Sequence, residues 1–264
     1  MNKMKRIFFL LSLAALVSCN NQQEAKQQND NKQDDIAKTA LEQESAIEVK
    51  PGATVIEPEK ADPDRDVIIK REDTETAEGE IAIMFRRGTA AFENGEYEQG
   101  IELFNQILEK KPDEGRAYYN LGVGYFKMDN YGESLKAFSN AIKISPKDSL
   151  SLQYRGRVYY MMGNFKSSLN DYDRVAQLKP TDPIAFYNRG TARGRVDDYL
   201  GAIKDFDKAI ELDPEYAEAY YNRGLANYYR GYLHEACYDW RKALNLGHYA
   251  AEKALKAYCE GGEN

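Results

Sequence analysis

The chain has 264 residues, of which 42% are hydrophobic and 30% charged, with a formal net charge of -7, 19 Gly, 8 Pro and 3 Cys. These proportions exclude a collagen-like chain, a disulfide-dense miniature scaffold, a polytopic membrane protein and a basic nucleic-acid binder. The acidity is local: residues 20–80 hold 17 Asp/Glu against 8 Lys/Arg, whereas residues 81–264 hold 26 against 25.

Residues 1–18 predict an export signal. Lys3, Lys5 and Arg6 form a cationic start, and the apolar run from Ile7 to Val17 is too short for a permanent span, which needs about 20 residues. The run ends in Leu16-Val17-Ser18-Cys19, which resembles the bacterial lipobox. That resemblance implies acylation of Cys19 and a mature chain that begins there, held by a stable lipid anchor. Asn20 rather than Asp follows Cys19, which by the same resemblance implies the outer membrane, with the leaflet left open. Residues 19–80 then read as the lipidated Cys and an acidic tether. From Asn20 to Glu80 there is no aromatic residue, the opening is Gln/Asn-rich, and Pro51, Pro58 and Pro63 interrupt the rest. Such a segment buries too little apolar surface to offset the entropy of ordering it, so disorder is expected.

From residue 81 onward a period of 34 governs the chain. Gly88, Gly122, Gly156, Gly190 and Gly224 keep it, as do Pro112, Pro146, Pro180 and Pro214, and Phe104, Phe138, Tyr172, Phe206 and Trp240. This repeat resembles the tetratricopeptide family, whose unit is a helix-turn-helix of that length. The resemblance implies an all-α fold: a right-handed α-solenoid of five units over residues 81–250, starting at Ile81, Gly115, Ser149, Pro183 and Ala217. A capping helix and tail follow over residues 251–264.

Local physics agrees with that organisation. Met84, Tyr118, Leu152, Phe186 and Tyr220 each precede the periodic Gly by four, so they share its helical face. The Gly marks a close approach of first to second helix, opposite Gly100, Ser134, Ser168, Ala202 and Ala236. Asn94-Gly95-Glu96 and Gly163-Asn164 predict the turns, and each Pro closes a second helix. In the fifth unit His248 replaces the Pro, Gly247 ends the helix, and Ala250 to Cys259 reads as an amphipathic cap. Arg87, Arg155, Arg189 and Arg223 stand where the family usually has Leu, and their stems are expected to pack while their heads reach water. Asp171 with Asp173, and Asp205 with Asp207, are expected on the solvated faces of second helices.

The family resemblance implies a concave groove lined by the first helices. Its candidate residues are Phe85, Arg116, Tyr119, Asn120, Phe126, Arg157, Tyr187, Asn188, Arg195, Tyr221, Asn222 and Tyr228. With Arg86 and Lys127 added, only Glu93 and Glu218 oppose the cations there. The amides of Asn120, Asn188 and Asn222 offer donor and acceptor to the backbone of an extended peptide. The family's carboxylate clamp would need its side chains at Phe85, Thr89, Asn120, Leu150 and Tyr154, where only Asn120 fits. His234 and His248 lack metal-ligand spacing, and Gly122-Val123-Gly124 falls inside a helix rather than after a strand. No catalytic residue, metal or cofactor is therefore expected, and the chain reads as no enzyme. It reads instead as a membrane-anchored adaptor that binds protein partners of the bacterial envelope. The alternative is a glycan- or peptidoglycan-binding lipoprotein, in which open Tyr rings stack on sugars; rings interlocked between helices would speak for packing instead. Cys237 and Cys259 either bridge the fifth unit to its cap or stay as small packing residues, which the distance between them decides.

Overall fold

The computed structural model describes residues 77–259, which form eleven helices and no strand among the described residues. The expected signal, the lipidated Cys19 and the tether up to residue 76 lie outside them. The helices pair in chain order: α1 (Ala77–Glu93) with α2 (Tyr97–Lys110), α3 (Gly115–Lys127) with α4 (Tyr131–Ile144), and α5 (Ser149–Met161) with α6 (Phe165–Leu178). Then come α7 (Pro183–Gly194) with α8 (Tyr199–Leu212), α9 (Ala217–Tyr229) with α10 (Leu233–Asn245), and the cap α11 (Ala250–Tyr258). The first helices of units 2 to 5 begin at the residues expected. The first unit differs, because α1 claims residues 77–80 from the expected tether. Glu78 and Glu80 lie in its first turn, where the helix dipole favours acids, and Glu80 meets Lys110 at 2.7 Å. None of the described helices is long and apolar enough to cross a membrane.

Each unit is punctuated by the same two backbone devices. Lys111, Ser145, Lys179 and Asp213 leave the helical region at φ between -125° and -139°, as the residue before a Pro must. Between first and second helices the chain turns through a left-handed residue, with φ from 55° to 80°, at Gly95, Asp129, Gly163, Asp197 and Gly231. The two Asp are secured there by their own carboxylates, which accept the hydroxyls of Tyr131 and Tyr199 at 2.8 and 2.7 Å. Asn130, Asn164 and Asp198 then cap the following helices by accepting from the third residue on.

The packing repeats too. Each periodic Gly lies against the periodic ring of its own second helix: a Cβ on Gly88, Gly122, Gly156, Gly190 or Gly224 would come within 2.6 to 3.0 Å of Phe104, Phe138, Tyr172, Phe206 or Trp240. Small residues also lie opposite the glycine, as expected: the Ser134 hydroxyl donates to the Gly122 carbonyl at 2.8 Å, and Gly100 and Ala236 lie against Gly88 and Gly224.

The arginines and aspartates overturn two expectations. Arg155, Arg189 and Arg223 do not send their heads to water. Each grips an Asp sixteen residues on with Nε and Nη2: Asp171 at 2.8 and 2.8 Å, Asp205 at 2.9 and 2.6 Å, Asp239 at 3.0 and 2.6 Å. Those carboxylates are only 2, 3 and 2% exposed, so Asp171 and Asp205 are not on a solvated face. The Nη1 of each Arg reaches back to the preceding unit, to Ser139, Asp173 and Asp207 at 3.2, 3.3 and 2.7 Å. A planar fork of five donors can satisfy one carboxylate bidentately and still hold a second acceptor. Arg87 keeps the expected behaviour and is exposed.

The fifth unit closes differently because His248 stands in the Pro position. Gly247 takes φ 93°, and the amides of Gly247 and His248 return to Leu244 and Ala243, ending α10 as a left-handed glycine does. α11 then covers Trp240 and Ala243 with Ala251, Ala254 and Leu255. Cys237 in α10 and Cys259 at the end of α11 are joined in a disulfide, with their Cα atoms 5.8 Å apart. The bridge is the alternative that the structure selects.

Candidate functional site

The face that the second helices leave uncovered is formed by the first helices, and the twelve candidate residues divide there into three groups. Tyr221 and Tyr228 belong to the core under the cap. Tyr221 is 6% exposed and stacks on His248 with ring centroids 4.4 Å apart. Tyr228 packs between Trp240 and Tyr258 at 5.9 and 4.6 Å. Their place in the expected groove is corrected by the cap helix, which the spacing of single repeats does not include. Phe85 is buried as well, against Phe104 at 5.7 Å, and only its outer ring face meets Arg116.

A second group is half-buried and interlocked. Tyr119 meets Phe138 at 6.0 Å and the edge of Tyr154 at 5.8 Å, and Phe126 meets Tyr131 and Tyr154 at 5.9 and 6.2 Å. Burial accordingly pushes the Tyr119 and Tyr154 hydroxyls above their ordinary range. Tyr187 lies against Tyr216 at 4.9 Å, and its hydroxyl accepts from the Asn222 amide at 3.0 Å. Asn120 donates back to its own helix, to the Arg116 carbonyl at 2.8 Å. Of the three asparagines, two already use their amides internally; Asn188 makes no side-chain hydrogen bond among the described residues.

The third group comprises Arg116, Arg157 and Arg195. Each guanidinium lies over a ring of the preceding unit: Arg116 over Phe85 at 4.8 Å, Arg157 over Phe126 at 5.1 Å, and Arg195 over Phe165 and Tyr160 at 4.4 and 5.7 Å. These contacts fix the heads on the surface without neutralising them. Tyr154, at the position of the Asn ladder, is the ring that ties Tyr119 to Phe126.

A chain of paired antiparallel helices repeated every 34 residues, with a Gly-aromatic contact in each pair, defines a helical-repeat scaffold. Tetratricopeptide-repeat models match residues 82–113, 115–148, 156–196 and 197–231, and this repeat region belongs to the tetratricopeptide family. Among solved structures the chain is similar to MamA from Desulfovibrio magneticus RS-1, at 18% identity over 64% of this chain and 96% of that one, with a TM-score of 0.61. It is also similar to YrrB, described as a TPR protein with an unusual peptide-binding site, at 23% identity over 66% and 90% of the two chains, TM-score 0.60. No curated protein matches the chain significantly in sequence.

Proposed function

We propose that this chain is an exported, lipid-anchored adaptor of the bacterial envelope, whose first-helix face holds an extended segment of a partner protein. The observation that carries this reading is the open face itself: Arg116, Arg157, Arg195 and Asn188 hold unused donors beside half-buried rings, on a scaffold shared with a structure described as having a peptide-binding site. Export is supported by the Cys237–Cys259 bond, because such bonds persist in oxidising compartments, and by the lipobox-like end of residues 1–19. An anchor would confine the scaffold to a layer near the membrane and so raise its effective concentration toward partners there. The glycan alternative loses its platform, since Tyr119, Phe126 and Tyr154 meet edge to face rather than lying open as a row of flat rings.

Crosslinking in cells followed by purification tests the adaptor reading. Wild type is compared with a Phe126→Ala, Asn188→Trp protein, which alters the face at two half-buried positions and whose folding circular dichroism checks. A defined protein partner captured by wild type alone supports the reading; equal capture by both proteins overturns it. Labelling with a fatty-acid analogue, retained by wild type and lost in Cys19→Ala, tests the anchor.

A further inference from the structure

Two groups of arginines in this domain contrast in how their charge is met. Arg155, Arg189, Arg193 and Arg223 are each neutralised by an aspartate, and every one of these pairs involves a buried carboxylate. Arg116, Arg157 and Arg195 enter no ion pair and no side-chain hydrogen bond among the described residues, although Arg157 and Arg195 are half-buried. Arg155 and Arg157 show the contrast within a single helix. Arg157 is instead surrounded by phenols, its charge acting on the hydroxyls of Tyr131, Tyr154 and Tyr172. A guanidinium held over a ring at the surface and facing no carboxylate of its own keeps its fork of donors for an incoming anion.

Their positions form a row. Arg116 is the second residue of α3, Arg157 the ninth of α5, and Arg195 follows the last residue of α7. At about 1.5 Å of rise per helical residue, the heads advance by about 10 Å and then about 6 Å along successive first helices. The row therefore crosses the face obliquely from unit 2 to unit 4, flanked by the exposed Arg86 and Lys127. In units 1 to 4 the candidate lining positions of this face carry one carboxylate, Glu93.

We propose that the face is specific for an acidic extended segment of the partner, whose carboxylates each seat on one of Arg116, Arg157 and Arg195. This deepens the adaptor reading and rests on it. Arginine suits the task because its fork meets a carboxylate bidentately while its plane stays stacked on the ring beneath. The rings hold the three heads in place before the partner arrives, so less side-chain entropy is lost on binding.

The test is peptide selection on the full-length, disulfide-intact protein, using displayed 12-residue peptides randomised over all residue types. A protein carrying Arg116→Gln, Arg157→Gln and Arg195→Gln serves as the parallel bait, or the three single variants if the triple one loses its helical signal. The expected result is enrichment of Asp and Glu on wild type. Binding of a selected peptide should weaken by about tenfold per arginine replaced, and as salt is raised. Lys143→Gln on α4 should leave it unchanged. Enrichment of neutral or basic peptides that bind the triple variant equally well overturns the acidic specificity and leaves the peptide-binding reading standing. Enrichment of nothing overturns both.

Discussion

Units 1 and 2 bury no ion pair where units 3 to 5 join their helices by buried charge. At the same two periodic positions, the first two units carry Arg87 with Leu103 and Leu121 with Ala137, and the last three carry Arg155 with Asp171, Arg189 with Asp205 and Arg223 with Asp239. Leu103, Leu121 and Ala137 are buried, and Leu121 and Ala137 share one cluster with Phe85, Phe104 and Ile107. One backbone thus accepts two chemistries at one place. Desolvating a guanidinium and a carboxylate costs several kcal/mol that their attraction does little more than offset, so the charged version brings no gain over the apolar one. What it adds is direction. Each Arg holds its own Asp and the preceding second helix at once, which fixes the angle between consecutive units in a way that leucine does not.

Breaking one rung should show the largest effect. Asp171→Ala leaves Arg155 half-buried without its anion, and stability should fall by about 3–5 kcal/mol in urea unfolding. A loss below about 1 kcal/mol would mean that Arg155 escapes to water, and the two halves would then not differ. Next comes the far end of the charged half: Cys259→Ser opens a bridge between residues 22 apart in sequence, which should cost about 3 kcal/mol, read as faster amide exchange in α11. Smaller still is the effect of pH there. Burial holds the His248 imidazole below its ordinary 6.5, with Glu218 opposing the shift. As pH falls, the unfolded chain takes up the proton first, so His248's contribution is intact above about pH 6.5 and lost below it. Between pH 7 and 5 the wild type should lose more stability than a His248→Gln protein, measured by urea unfolding at both pH values. The smallest expected change is the sharpest test: Arg155→Leu with Asp171→Ala copies unit 2 into unit 3 and should stay within about 1 kcal/mol of wild type, while unit-to-unit order, read by exchange in α4 and α5, declines.

The helix starts at Gly115, Ser149, Pro183 and Ala217 were legible because Gly, Pro and the aromatic residues all carry the same period, and each acts through local backbone sterics or close packing. The start at Ala77 was not, since Ala77, Glu78, Gly79 and Glu80 continue the composition of the acidic stretch before them. Asp171 and Asp205 are expected on solvated faces because they are charged, yet with Asp239 they keep the 34-residue period. The telling signal was their position: they stand where Leu103 and Ala137 stand, on a buried stripe. Tyr221 and Tyr228 were misplaced for another reason, that repeat spacing describes an interior unit while these rings lie under a cap. Arg116, Arg157 and Arg195 are expected on the face, and what separates them from Arg155, two residues from Arg157 and paired with Asp171, is the buried carboxylate that only Arg155 reaches.

The disulfide has a consequence for how the array comes apart. A linear stack opens from its ends, where a unit has a neighbour on one side only. Tying α11 to α10 removes that weakness from the C-terminal end, so opening of the described array should begin at α1 and travel one way, toward the bridge. A protease acting on rare opened states would then trim the domain like a fuse, consuming the apolar units first and leaving the bridged fifth unit until last.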